Sequence, residues 1–380
     1  MVWIKKSIHP IDKLSILSHD SQYDLACACG HSKADRRHRS MEDKWIYPVA
    51  ISQMGTRTYL FKTLLSNKCE NDCKYCPLRS NQDIRRCSMS PEEIAEVFMS
   101  YYRKKRVMGL FLSSGVIGDP DNTMALINKT ADILRKQSYK GYIHLKIIPG
   151  ASNAAIEESL SLANAVSLNV ETVGEKRFNK ICNSKSYEND IVRPIKFIGE
   201  NTRRGTKYGR VKHTTQFIVG ASDETDSEII RCVWGLYKRV GLYRVYFSAY
   251  QRGLGEPDLP GENISSSNGE LLTREHRLYQ ADWLIRQYNF QIDEIPFEAD
   301  GNISLKMDPK EAWALKHPEF FPVNVNKADK EALLRVPGMG SVTVNKIVNQ
   351  RKKNGHLKSL EDFLNPGRQM EKVRPYIIFF

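Results

Sequence analysis

The sequence predicts an α/β protein, with a parallel sheet joined by helical crossovers and a small helical module at the C-terminal end. Two observations carry this. Six short apolar runs alternate with stretches of helical periodicity between residues 59 and 250, as strand–helix–strand units require. The last sixty residues are set off by Pro318 and Pro322 and hold two helical stretches punctuated by glycines. A chain of 380 residues has room for one large domain and one small one. The pattern divides it into a basic N-terminal extension (1–58), a core with a helical extension (59–300), a linker helix (301–320) and the C-terminal module (321–380).

In chain order, residues 9–26 read as a short helix with Ile11, Leu14, Ile16 and Leu17 apolar. Residues 27–58 read as irregular and charged, with Lys33, Arg36, Arg37 and Arg39 close together. The run Tyr59–Leu65 is a buried-strand candidate. Ser90-Pro91-Glu92-Glu93 signals a helix start, with Ser90 as cap, Pro91 in the first turn and Glu93 as the capping-box acid. Strands are expected at 109–113, 142–148, 165–171, 214–220 and 244–250, and helices at 121–138, 152–162, 224–240 and 273–289. A Gly-, Pro- and Ser-rich loop fills 251–272, and Lys306-Met307-Asp308-Pro309 opens another short helix. Periodicity leaves open whether the sheet is flat or curled.

The formal net charge is +13, from 57 basic and 44 acidic residues. Such a balance suits a polyanionic partner, of which nucleic acid is the commonest. No stretch approaches the ~20 apolar residues of a membrane span. The opening Met1-Val2-Trp3-Ile4-Lys5-Lys6 lacks the apolar run of a signal peptide. A cytoplasmic location, with no membrane partner, is the expectation. In that compartment tight cysteine spacing points to metal or catalysis rather than disulfides.

The cysteines that matter most are Cys69, Cys73 and Cys76, in the pattern C-x3-C-x2-C directly after the first predicted strand. Three thiolates that close can hold three corners of a four-iron cube, and a fourth would complete an electron-transfer cluster. Leaving it out reserves one iron for a small ligand. A zinc site completed by Cys87 is the alternative.

This loop, with Tyr75 just before its third cysteine, resembles the radical S-adenosylmethionine (SAM) superfamily. The resemblance implies a partial (β/α)6-type barrel, a [4Fe–4S] cluster and SAM. The reduced cluster would cleave SAM to a 5′-deoxyadenosyl radical that abstracts hydrogen from a substrate. A flavodoxin- or ferredoxin-like protein would supply the electron. By position, Ser113, Ser114 and Gly115 correspond to the turn that meets the SAM amino group, although the usual acidic residue is absent. Asn169 and Glu171 correspond to the polar residues that reach SAM, and Gly220 to the turn near adenine. Alternation along a strand puts Asn169 and Glu171 on one face.

In the C-terminal module, Val336-Pro337-Gly338-Met339-Gly340-Ser341 joins two helical stretches and looks like a helix-hairpin-helix motif. Gly338 and Gly340 permit a tight turn that presents the N–H groups of the second helix to a phosphate. Ser341 can cap that helix, and Lys346, Arg351, Lys352 and Lys353 add charge. From residue 321 onward eleven Lys and Arg face five Asp and Glu, a net of +6. Phosphate contacts of this kind position a protein on DNA without reading its sequence.

Three further stretches narrow the likeness: Gly109–Val116, Arg274–Trp283 and Ala312–Pro318. With both motifs, the chain resembles the radical SAM/helix-hairpin-helix proteins described as DNA modification or repair enzymes, often encoded beside a uracil-DNA-glycosylase-like protein. The resemblance implies DNA as substrate and that protein as a partner. RNA, particularly tRNA, is the alternative polymer. A nucleic-acid-binding protein with a structural or redox-sensing cluster is the alternative of another class. The Cys27-Ala28-Cys29-Gly30-His31 stretch and the basic Tyr208–His213 stretch depart from the family pattern. Of the spare thiols Cys27, Cys29 and Cys87, Cys27 is the candidate hydrogen donor to a substrate radical; ligation of a second cluster by these thiols is the alternative.

Overall fold

The computed structural model describes residues 9–24, 45–50, 57–263 and 265–380. The expected roles of Cys27 and Cys29, and the basic cluster at 33–39, lie outside the described residues. The described parts of Met1–Glu224 and Gly235–Glu275 form one compact unit; Thr225–Trp234 and His276–Phe380 form a second.

The first unit begins with helix α1 (Pro10–Asp20) and is built on seven strands: β1 (Ile46–Ala50), β2 (Arg57–Leu64), β3 (Gly109–Ser113), β4 (Tyr142–Lys146), β5 (Ala165–Ser167), β6 (Lys212–Val219) and β7 (Arg244–Ala249). They lie side by side in sequence order. β2 to β7 are parallel, and β1 is antiparallel to β2. Helices α2 (Pro91–Arg103), α3 (Pro120–Lys136), α4 (Asn153–Leu162), α5 (Glu175–Ile181) and α6 (Arg193–Thr202) supply crossovers. The parallel strands, added one after another in sequence order, form a curled half-barrel sheet. Phe61 of β2 packs edge-on to Phe98 of α2 at 5.8 Å, so the helices cover that face. The alternate residues face the inside of the curl. There Lys62 lies 5.3 Å from the Phe111 ring, and His144 Nε2 is 3.0 Å from Ser167 Oγ.

Several local expectations hold. Ser90 accepts from the Glu93 N–H at 3.1 Å while Glu93 Oε2 accepts from the Ser90 N–H at 2.8 Å, completing the capping box. Asp308 caps the helix that begins at Pro309. Other expectations are corrected. Within 27–58, expected to be irregular, Ile46–Ala50 forms β1; its Pro48 lacks an N–H, which an edge strand tolerates. β5 ends at Ser167 rather than continuing to Glu171, because the Thr215 hydroxyl enters the ladder. It donates to the Leu168 carbonyl at 2.7 Å and accepts from the Val170 N–H at 3.0 Å. The chain rejoins β6 only at Glu171, whose φ of +64° is left-handed. The helix expected at 224–240 is α-helical only over α7 (Asp226–Gly235) and continues as a π-helical turn to Val240.

The second unit contains α7, the greater part of α8 (Asn268–Gln287), α9 (Pro309–Lys316), α10 (Lys330–Arg335), α11 (Ser341–Asn354) and α12 (Arg368–Val373). A two-residue parallel ladder joins β8 (Val323–Asn324) to β9 (Ile377–Ile378). Trp313 anchors one part of its core, with Phe290 at 5.4 Å and Phe320 at 5.3 Å between ring centres. Leu333, Val336, Val344, Ile347 and Val373 are buried between the last helices. Among the described residues no helix is long and apolar enough to cross a membrane.

Candidate cluster site and helix-hairpin-helix

The cysteine loop leaves the C-terminal end of β2 and is tied at once to the end of β3. Leu65 N–H donates to the Ser113 carbonyl at 2.7 Å, Gly115 N–H to Ser66 at 2.8 Å, and Glu70 N–H to Val116 at 3.0 Å. Arg86 organises the loop from within. Its guanidinium donates to four carbonyls, those of Asn67, Leu78, Arg79 and Gln82, at 2.5 to 3.0 Å. Five donors in a planar fork suit Arg for this; an ammonium could not span them.

A cavity of about 150 Å³ opens at these strand ends. Cys69, Cys73 and Cys76 line it, as do Tyr75, Ser113, Ser114, Gly115, Asn169 and Glu171. The structure thus gathers nine of the residues singled out in the sequence. Gly220 is not among the lining residues. Its φ is +85° and its N–H donates to Glu224 Oε1 at 3.0 Å, so it serves a turn closed by that carboxylate. Lys146, Lys185 and Gln216 also line the cavity, and no local sequence signal marked them.

The thiols differ. The hydrogen bond with Cys182 pulls Cys73 down to about 6, against its burial and with help from Lys185. Burial pushes Cys76 up to about 12, reinforced by Cys73. Burial opposes the charge of Lys185, but Cys73, Cys182 and Glu171 outweigh it and hold the ammonium above the usual lysine value. Burial raises Glu171 despite Lys146 and Lys185, and its carboxylate accepts from Asn169 Nδ2 at 3.3 Å.

Among the described residues no three Cys, His, Asp or Glu are grouped to hold a single metal ion. Cys87 is not in the cavity lining; its thiol points to the Lys13 carbonyl of α1 at 3.9 Å. The four-cysteine zinc alternative therefore lacks its fourth ligand. Three soft thiolates in one cavity lining with the cations Lys146 and Lys185 and polar groups fit a [4Fe–4S] cluster together with a zwitterionic ligand.

In the second unit, α10 and α11 are joined by the expected turn. Gly338 has φ +82°, and a Cβ there would meet Val373 Cγ2 at 3.0 Å. Lys310 braces the turn from inside, donating to the Leu334 carbonyl at 3.0 Å and to Met339. Gly340, not Ser341, is the N-cap of α11, and no side chain caps it. Ser341 is already the first helical residue, so its hydroxyl does not close the first turn. Lys346, Lys352 and Lys353 are exposed. Arg351 turns inward and donates to the Ala328 carbonyl at 2.7 Å.

Residues 63–233 match the radical SAM superfamily, and residues 320–368 match the helix-hairpin-helix motif. No curated protein matches the chain. Among solved structures, the chain is similar to the FeFe-hydrogenase maturase HydG from Carboxydothermus hydrogenoformans, at 17% identity and a TM-score of 0.47. That match covers 60% of this chain and 51% of the maturase, so the chain spans about half its length. Methylornithine synthase (PylB) is similar at 17% identity over 73% of this chain and 75% of the synthase, with a TM-score of 0.44. Streptococcus suis SuiB is similar at 12% identity over 61% of this chain and 48% of SuiB, with a TM-score of 0.45. Residues 63–233 thus match a superfamily whose members are enzymes that use a [4Fe–4S] cluster and SAM, and a helix-hairpin-helix motif follows in the second unit.

Proposed function

We propose that this protein is a radical SAM enzyme that modifies or repairs DNA, bound through its helix-hairpin-helix. Cys69, Cys73 and Cys76 hold the cluster, which with SAM supplies a 5′-deoxyadenosyl radical for hydrogen abstraction. The Ser113–Gly115 turn and Glu171 receive the ammonium end of SAM, Lys146 and Lys185 its carboxylate, and Asn169 its ribose. A flavodoxin- or ferredoxin-like donor provides the electron, and a uracil-DNA-glycosylase-like protein is the further partner.

The observation that carries the nucleic-acid reading is the turn at Gly338. Its left-handed φ leads into the start of α11, where no side chain makes a cap hydrogen bond, an arrangement that suits an anion. Exposed lysines on α11 add positive charge. The inside of the half-barrel supports an anionic, planar substrate as well: Lys62 lies against the rings of Tyr47 and Phe111, and Arg244 against Tyr246.

Nucleoside mass spectrometry tests this reading. DNA and RNA incubated with reduced protein and SAM should show a changed nucleoside in DNA. A change confined to RNA would transfer the assignment to the tRNA alternative. No change in either, with SAM cleavage intact, would remove nucleic acid as the substrate.

A further inference from the structure

We propose that Cys182, at the end of α5, tunes the cluster by donating a hydrogen bond to the sulfur of Cys73. It is a positioning residue that acts through a ligand, not a ligand itself. The proposal rests on the cluster assignment and is independent of the substrate.

Cys182 is 1% exposed, and its Sγ lies 3.6 Å from Cys73 Sγ. The contact is part of a strap between the cluster loop and residues 181–184. Lys74 N–H donates to the Ile181 carbonyl at 2.8 Å, and Asp72 N–H to Ser184 Oγ at 3.3 Å. Asp72 Oδ1 in turn accepts from the N–H groups of Asn183 at 3.1 Å and Ser184 at 2.9 Å. The thiol of Cys182 has three acceptors in reach: Cys73 Sγ, the Ser184 hydroxyl at 3.5 Å and, at 3.4 Å, Asp72 Oδ1. Two backbone donors already occupy the two lone pairs of that oxygen. An iron-bound thiolate carries charge, which the neutral Ser184 hydroxyl does not, and it accepts from Cys182 beside the Lys185 ammonium that pairs with the same sulfur. The S–H proton therefore goes to Cys73.

A hydrogen bond to a cluster sulfur withdraws electron density and stabilises the reduced state, which is the electron-richer one. Cys182 thus raises the reduction potential of the cluster. Asp72 and Ser184 fix the rotamer from which it does so. No electron or proton is transferred by Cys182.

The test is a potentiometric titration of the full reconstituted chain, followed by electron paramagnetic resonance, in the wild type, C182A and C182S. All three should hold the same iron. The potential should fall in C182A and stay near the wild-type value in C182S, which keeps a donor. An unchanged potential in C182A would mean that the proton rests on Asp72 or Ser184, and the proposal would be overturned. Loss of iron in C182A, with C182S also deficient, would make Cys182 a ligand and overturn it equally. A wild-type chain that takes up no cluster would instead sink the cluster assignment itself.

Discussion

A Cβ on Gly115 would stand 2.2 Å from the carbonyl oxygen of Lys68, the residue before Cys69. The neighbour is backbone, and it cannot swing away. Gly115 is therefore required by the close approach of the β3 turn to the cysteine loop, besides any contact with SAM. Gly115→Ala should destabilise the protein by about 1–3 kcal/mol through overpacking. It should also lower iron retention after reconstitution. Chemical denaturation and iron analysis together check this; wild-type values in both would show that the loop gives way.

Cys87 and Cys73 should separate cleanly. Cys87→Ala removes a buried thiol whose neighbour is the Lys13 carbonyl, so the visible absorption of the cluster should persist. Cys73→Ala should abolish it. If both variants lost metal alike, a four-cysteine site would return.

His213 predicts a pH effect. Burial alone lowers it to about 3, and both ring nitrogens lack a partner among the described residues. Its folded pKa is below the unfolded value of about 6.5, so the unfolded chain binds the extra proton between those values. The full contribution is present above about 6.5 and is lost as pH falls toward 3, on the order of a few kcal/mol. Denaturation midpoints should drop across that window, and His213→Leu should flatten the decline. An equal decline in both would assign it to other groups.

Lys346 and Lys352 are exposed on α11, whereas Arg351 is committed to Ala328. Replacing both lysines by alanine should weaken DNA binding at every sequence. The slope of affinity against salt should flatten by about one for each lost phosphate contact. Fluorescence anisotropy at several salt concentrations reads this directly. A slope equal to the wild type would place DNA elsewhere.

The cysteine loop, the Ser90 capping box and the glycine turn were legible because each is a local device, written within a few residues. The same holds for the alternating strands, whose apolar runs need no distant partner to be recognised. Cys182 and Lys185 were not legible. They reach Cys73 across more than a hundred residues of chain, and a lone cysteine and lysine after α5 carry no spacing signal. β1 was hidden by Pro48, which reads as a breaker until an edge position makes its missing N–H harmless. The early end of β5 depended on one hydroxyl of a different strand, Thr215. Ser341 carries the signal of a cap in sequence, but the boundary falls at Gly340, which has no side chain to mark it.

If Cys69, Cys73 and Cys76 hold a cluster whose remaining iron is open to SAM, the anaerobically reconstituted protein should release 5′-deoxyadenosine when given dithionite and SAM. The wild type should release it and Cys73→Ala should not. An iron-loaded wild type that leaves SAM intact, or a Cys73→Ala variant that cleaves it equally well, would contradict that assignment.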